Sequence, residues 1–253
     1  MTSGKGKRMA ERGKEALLSL LFPRAANCLC CGDPRRAALE DCLCFRCRIA
    51  LEGMRVPPEA CNRCLSPVKK GKRCRMCHSR VMGHIERVYA PWRYGGEVRA
   101  LIHAFKFNGC DEALPLLAQA MADAIPDRDF DCIVPVPLHP KRLRQRGVNQ
   151  ALLLAEAIGR ITHMDVRELL QRDYYRRPQS RLDHKERRFN VAGAFSCRER
   201  AEGLRILLVD DVRTSGNTAH FCARSLREAG AKQVCLAVAA VVYKAGAIPG
   251  KGG

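Results

Sequence analysis

Ten of the fifteen cysteines in this 253-residue chain lie between Cys28 and Cys77. Eight of them form four CxxC pairs: Cys28 with Cys31, Cys44 with Cys47, Cys61 with Cys64, and Cys74 with Cys77. Each pair can present two thiolates to one tetrahedral metal ion. The separations inside the array, twelve residues from Cys31 to Cys44 and nine from Cys64 to Cys74, suit the knuckles and hairpins of zinc ribbons. A disulfide framework belongs to secreted chains, and the sequence shows no secretion signal. Pairing the doublets in order, into two sites of four, and cross-bracing alternate doublets both fit the spacing. Cys30 and Cys42 are left over. Large apolar residues are few here, so bound metal is expected to supply most of the segment's folding free energy. Cys110, Cys132, Cys197, Cys222 and Cys235 stand singly in apolar or helical contexts and read as buried thiols.

A second group of residues has the makings of a ligand site. Ile206 to Val209 is a short apolar run, Asp210 and Asp211 follow it, and Thr214, Ser215, Gly216, Asn217 and Thr218 open a helix. In an open parallel sheet, ligands sit beyond the carboxyl ends of the strands, which is where this order places the two acids. Helix N-terminal amides with hydroxyls beside them cradle a phosphate, and Gly216 lets the backbone approach it closely. Two adjacent carboxylates suit the vicinal hydroxyls of a ribose, each accepting from an O–H. One loop can thus hold a ribose and its 5′-phosphate together.

The run ILLVDDVRTSGNTA, Ile206 to Ala219, resembles the signature of type I phosphoribosyltransferases. The segment IVPVPLHPKRLRQRGVNQ, Ile133 to Gln150, resembles the one that stands in ComF-type proteins for the pyrophosphate-binding loop; it carries Lys141, Arg142, Arg144 and Arg146 and no acid. Arg176 to Phe195 resembles the flexible loop and return strand, with Gln179, Leu182, Arg187 and Asn190 at recurrent positions, and Lys106 in FKFNG is a further family-like position. With the CxxC pairs ahead of these motifs, the order of the chain resembles the ComF family, competence or amidophosphoribosyltransferase-like proteins, over about residues 17 to 243. Arg213-Thr214-Ser215 departs from the usual Thr-rich triplet, although serine keeps the hydroxyl.

The resemblance implies an α/β fold: a type I phosphoribosyltransferase-like parallel sheet flanked by helices, preceded by a small zinc-ribbon domain. It implies Zn2+ on the eight paired cysteines, and phosphoribosyl pyrophosphate with Mg2+ on Asp210, Asp211 and the loop from Thr214 to Thr218. Lys106, Lys141, Arg142, Arg144, Arg146 and Arg187 become candidates for gripping a diphosphate or a DNA backbone. The partners implied are single-stranded DNA in the cytoplasm during natural transformation, a DNA-translocating ATPase and other competence proteins. Active phosphoribosyl transfer is the alternative, but no acceptor hood and no N-terminal cysteine glutaminase are readable, and Cys28 goes to metal.

These motifs need elements to position them. Residues 1–23 read as a basic tail with a short helix from Lys14 to Phe22, residues 24–80 as the metal segment, 81–243 as the α/β domain and 244–253 as a tail. Strands are expected at Val88–Tyr94, Asp131–Val136, Arg205–Val209 and Gln233–Val242. Helices are expected at Glu97–Phe107, Asp111–Ala124, Asn149–Ile161 and Asn217–Ala229. Strand and helix alternate with crossover-length connections, hence a parallel sheet. The six apolar residues Leu17 to Phe22 are too few for a membrane span. The formal charge is +19, with 18 basic against 7 acidic residues over 1–80 and 27 against 19 beyond. Two metal ions held by four thiolates each would lower it to about +15. So basic a chain implies polyanionic partners, nucleic acid first. Aromatics for base stacking are few, with Trp92, Tyr89 and Tyr94 the candidates.

Overall fold

The computed structural model describes residues 27–33, 42–68, 72–107, 112–126, 128–172 and 194–243. The helix expected at Lys14–Phe22, the two tails, Cys110, Gln179, Leu182, Arg187 and Asn190 lie outside them. The side chains of Arg142 and Arg146 are likewise not described.

The elements, in chain order, begin with α1 (Phe45–Gly53) in the cysteine-rich segment and a 3-10 turn (Arg80–Met82). Strands β1 (Val88–Tyr89) and β2 (Trp92–Arg93) lead into helices α2 (Gly96–Phe107) and α3 (Ala113–Asp123). Next come β3 (Cys132–Pro135), α4 (Pro140–Arg146), α5 (Gln150–Thr162), β4 (Leu170–Arg172) and β5 (Phe195–Cys197). The chain then runs through β6 (Arg205–Arg213), α6 (Asn217–Glu228) and β7 (Gln233–Val241). The main sheet has the order β1-β7-β6-β3, with β2 also on β7, and every pairing in it is parallel. Strands β4 and β5 form a separate antiparallel pair.

Continuous apolar runs make β6 and β7 strands buried on both faces. Successive side chains alternate, so Leu207 and Val209 join one core and Ile206 and Leu208 the other. The first core lies under α2, α3 and α5, through Leu101, Leu117, Leu154 and Ile158; the second lies under α6, through Cys222, Ala223 and Leu226. Hydrophobic spacing along α5 and its Asn149 cap, whose side chain accepts from the Ala151 amide at 3.2 Å, explain where that helix starts.

Three differences from the expected elements have physical causes. The expected strand Val88–Tyr94 is two short strands split at Ala90–Pro91, because proline has no N–H to continue the ladder. The basic stretch after β3 is the helix α4: His139 accepts from the Lys141 amide at 3.1 Å, Pro140 sits at the first helical position and Gly147 closes the end at φ 75°. Strand β6 runs four residues past Val209, so Asp210 and Asp211 lie within the strand rather than beyond it. There β6 is paired only with β7, in register to Arg213 opposite Val241, because β3 has ended at Pro135 opposite Val209.

The cysteine segment wraps the β1/β2 edge of the sheet. Val56 donates its amide to the Pro91 carbonyl at 3.1 Å, Val88 to the Arg63 carbonyl at 2.8 Å, and Arg55 bridges Trp92 in antiparallel fashion. Cys28, Cys44 and Cys47 belong to the first core, whereas Cys64 belongs to the second. The two halves of the array therefore sit on opposite faces of the sheet.

Candidate functional site

Of the two pairing schemes that the spacing permits, the structure adopts the sequential one. Cys28, Cys31, Cys44 and Cys47 bring their sulfurs within 4.8 Å of one another, and so do Cys61, Cys64, Cys74 and Cys77. Contacts of 3.9 Å between Cys31 and Cys44, 3.5 Å between Cys61 and Cys77, and 3.4 Å between Cys64 and Cys74 bracket the separation of about 3.8 Å that a tetrahedron of 2.3 Å metal–sulfur bonds requires. Both tetrads thus fit a tetrahedral, thiophilic ion. In each, one sulfur favours the thiolate. Against the opposing effect of burial, the amides of Cys44, Cys31 and Cys30 lower Cys28 to about 6; the amides of Cys64 and Arg63 lower Cys61 to about 7 in the same way. Burial first, and then hydrogen bonding and charge from the neighbouring sulfurs, push Cys47 and Cys77 up. Four thiolates so close together need a cation.

The leftover cysteines are accounted for on similar grounds. Cys30 donates to the Glu97 carbonyl at 3.4 Å, and burial, with Cys28 and Glu97 nearby, pushes it up to about 12, which keeps it a thiol. Cys42 packs partly buried against the first core. Cys132, Cys222 and Cys235 are buried as expected, while Cys197 is half-buried on β5.

At the carboxyl end of β6 the acidic pair is asymmetric. Asp210 accepts the Asp211 amide at 2.8 Å, and burial followed by the Asp211 charge raises its carboxyl to about 7. Asp211 is ion-paired with Lys106 from the last turn of α2, and both side chains are about one-fifth exposed. The structure thus joins a lysine from another helix to the acids, which sequence spacing could not do. Thr214 and Ser215 are exposed, and Ser215 accepts the Asn217 amide at 3.4 Å. Gly216 caps α6 at φ 80°, where a β-carbon would stand 2.8 Å from Val81 Cγ1. The helix's first backbone bond runs from the His220 amide to the Gly216 carbonyl at 2.9 Å, so the amides of Asn217 to Ala219 precede the helical ladder. Acids, hydroxyls and helix N-terminus follow one another at the carboxyl end of β6, where the free helix amides suit an anion. Lys141 and Arg144 are exposed on α4, which follows β3 at the same end of the sheet.

Trp92, 3% exposed, and Tyr89, 8% exposed, are core residues and Tyr94 is half-buried, so they are not stacking platforms for bases. The parallel strands that carry Trp92 and Tyr89 have both faces covered. Among the described residues, the exposed large aromatic is Phe45 on α1, at 75%, beside exposed Arg46 and Arg48. Its only signal in the sequence is a place directly after Cys44, where a metal knuckle turns its neighbours outward. Two further residues next to the loop have surroundings that the sequence does not show. His220, in the first turn of α6, has its ring 5.3 Å from that of His84, and burial and then His84 lower its pKa. Arg213, the last residue of β6, is buried facing the second tetrad.

A parallel sheet ending in an acid pair and a glycine-capped helix, with two cysteine tetrads at its edge, defines the class: a phosphoribosyltransferase-like α/β protein preceded by zinc-ribbon-like cysteine clusters. No family model matches the chain. It is 30% identical over 200 residues to the competence protein ComFC of Bacillus subtilis, covering 76% of this chain and 80% of that protein. It is 29% identical over 219 residues to competence protein F of Haemophilus influenzae, covering 76% and 93%. With the DNA utilization protein YhgH of Escherichia coli K12 the identity is 27% over 218 residues, covering 81% and 87%. The chain belongs to the ComF family of competence proteins. Among solved structures, the glutamine phosphoribosylpyrophosphate amidotransferase of B. subtilis overlaps 49% of this chain and 25% of its own at 22% identity and a TM-score of 0.35. The purine phosphoribosyltransferase of Pyrococcus horikoshii overlaps 51% and 72% at 16% identity and a TM-score of 0.33. Overlaps this low carry no weight beside the strand order itself. No helix among the described residues is long and apolar enough to cross a membrane.

Proposed function

We propose that this protein handles single-stranded DNA in the cytoplasm during DNA uptake and carries a site for phosphoribosyl pyrophosphate or a similar phosphorylated ribose. The observation that carries the reading is membership of a family whose relatives are named for competence and DNA utilization, in a chain of net charge +19. The ligand site is Asp210 and Asp211 for the ribose hydroxyls and Thr214 to Thr218 for the 5′-phosphate. Zn2+ is the ion proposed for each tetrad, since four thiolates favour it and it needs no redox partner. Lys141, Arg142, Arg144 and Arg146 are the basic residues proposed to meet a diphosphate or a nucleic-acid backbone. A DNA-translocating ATPase and other competence proteins are the proposed partners.

The test is fluorescence anisotropy with a labelled single-stranded oligonucleotide at salt concentrations from low to moderate, with and without phosphoribosyl pyrophosphate. Backbone-driven binding makes log K fall linearly with log salt, by about 0.7 for each phosphate neutralised. An affinity that stays flat across that range refutes the DNA reading.

A second reading, active phosphoribosyl transfer, is favoured by the ion pair of Lys106 with Asp211, which brings a cation beside the ribose acids. Mg2+ would supply charge neutralisation of the leaving diphosphate, and Lys106 would orient Asp211. Release of pyrophosphate in a panel of bases and amines, lost in Lys106→Met, supports transfer; binding without release in every case excludes it.

A further inference from the structure

Arg213 is the last residue of β6, yet it does not point to the acids or to solvent. It is 4% exposed, and among the described residues no carboxylate pairs with it. Its Nη2 donates to the Ser66 hydroxyl at 3.4 Å, across 147 residues of sequence, and Ser66 in turn closes the knuckle of the second tetrad, its carbonyl accepting the Cys61 amide at 3.0 Å. Among the described residues the Nε of Arg213 has no hydrogen-bond partner, and neither does the nearby buried hydroxyl of Tyr243. The ionisable groups facing Arg213 are Cys64, Tyr243, Cys74 and Cys77; burial pushes the Tyr243 phenol up to about 12, so the cysteines are the ones that can supply negative charge. A guanidinium taken out of water and left without a counter-charge is strongly unfavourable. Four thiolates around a dication carry a net charge of about −2, and such a centre is the counter-charge that this burial needs.

Further contacts tie the same tetrad to the phosphate loop. Leaving Cys77, the chain turns through Val81, whose Cγ1 occupies the space a Gly216 side chain would need, and His84 sets its ring against His220. Arg63, inside the first CxxC knuckle of the second tetrad, donates to the carbonyls of Met82 at 2.9 Å, Ile85 at 3.0 Å and Glu86 at 3.1 Å, and so fixes this turn to the knuckle. The first tetrad lies on the other face of the sheet, where Cys30 meets Glu97 of α2.

We propose that the two cysteine centres are unequal: Arg213 is a positioning residue that couples the second tetrad to the phosphate loop, so that metal in the second centre, and not in the first, keeps the loop competent to bind a phosphate. The ligand half of this rests on the phosphate-site reading given above; the metal half does not.

The experiment uses the full chain loaded with zinc. Metal release to a chromogenic chelator is followed in wild type, Arg213→Met and Arg213→Lys, and ribose 5-phosphate affinity is measured by calorimetry. Outer-sphere partners of a metal site typically change its affinity about 10–100-fold. Arg213→Met should therefore lose one of its two zinc ions faster by a factor of that order, with the other unchanged, and Arg213→Lys should recover part of the loss. The zinc that stays bound reports that the variant has folded; if Arg213→Met does not fold, Ser66→Ala interrupts the same contact and carries the measurement. Cys28→Ser/Cys31→Ser should lose one zinc and keep ribose 5-phosphate affinity, whereas Cys74→Ser/Cys77→Ser should lose both. Release of both ions at the wild-type rate from Arg213→Met and Ser66→Ala overturns the metal coupling. Equal ligand affinity in the two cysteine double variants overturns the inequality of the centres. Wild-type protein that ignores ribose 5-phosphate refutes the phosphate-site reading instead, and the release rates still decide the role of Arg213.

Discussion

Gly216→Ala perturbs the point where the phosphate loop meets the cysteine segment, and its cost has two separable parts. At φ 80° an L-residue pays about 1–2 kcal/mol for the left-handed conformation. The new β-carbon also lands 2.8 Å from Val81 Cγ1, closer than real carbon contacts, and valine is stiff at χ1, so backbone must move. Overpacking of this kind costs about 1–3 kcal/mol. Together they give about 2–5 kcal/mol, which in a chain of this size lowers Tm by about 4–20 °C. Gly203 and Gly147 supply the control, because they have φ of 71° and 75° with nothing within 4 Å of an added β-carbon. Alanine at either should pay the conformational part alone. Thermal and urea unfolding by circular dichroism measure all three, and Val81→Ala combined with Gly216→Ala completes a double-mutant cycle. The double variant should be more stable than the sum of the single losses predicts, by about 1 kcal/mol or more. If Gly216→Ala costs no more than Gly203→Ala, the loop does not rest on Val81 and the account of its position is wrong.

Burial and then the Asp211 charge hold Asp210 at about 7 in the folded state, against 3.8 as the ordinary value. Between those values the folded state binds more protons than the unfolded chain, so this group's contribution to stability falls as pH rises from about 4 to about 7. Asp210→Asn should therefore gain on wild type between pH 5 and pH 8 in urea melts; a pH-independent difference contradicts the assignment. Phe45→Ala should weaken single-stranded DNA binding by about 1–3 kcal/mol if Phe45 stacks on a base, with Tm unchanged because the ring is 75% exposed. Trp92→Phe should leave DNA affinity as it is, since the indole is buried. A chain cut to residues 81–253 should bind a hydrophobic dye and lose cooperative unfolding, because the edge strands lose their cover; a cooperative, dye-silent fragment would refute that.

Much of the architecture is legible in the sequence because its strongest signals are local. The run Ile206 to Val209 can hardly be anything but a strand buried on both faces, and the small residues after it mark a helix start. What was illegible depends on distant partners. The length of β6 is set by β7, whose apolar residues keep pairing to Val241, so the acids moved from loop to strand. Helix α4 hides among charges because its helical signal lies in its caps, His139-Pro140 at one end and Gly147 at the other, rather than in any apolar stripe. Helix α1 buries only Cys47 and Leu51, one turn apart, too short a stripe to read. Trp92 and Tyr89 looked like ligand residues because their type alone does not tell a stacking platform from core. The burial of Arg213 is illegible for the opposite reason: a charged residue at the end of a strand reads as solvated, and the centre that justifies its burial is remote in sequence.

The placement of the tetrads bears on how the chain divides. An edge made of two two-residue strands separated by a proline exposes unpaired backbone and apolar side chains, a combination that invites association unless it is covered. The cysteine segment covers it with backbone hydrogen bonds from Val56 and to Arg63, and sends its first tetrad into one core and its second into the other. Residues 24–80 stand apart in the sequence by their clustered cysteines, and their lack of apolar bulk reads as dependence on metal. That lack has a different meaning in the folded chain: the segment needs little core of its own because it borrows the two faces of the sheet. Metal affinity at either tetrad is then linked to the stability of the sheet face beneath it, and the linkage is reciprocal. Since α6 packs on the second face only, a ligand that orders the loop at Gly216 should tighten the second tetrad and leave the first as it was.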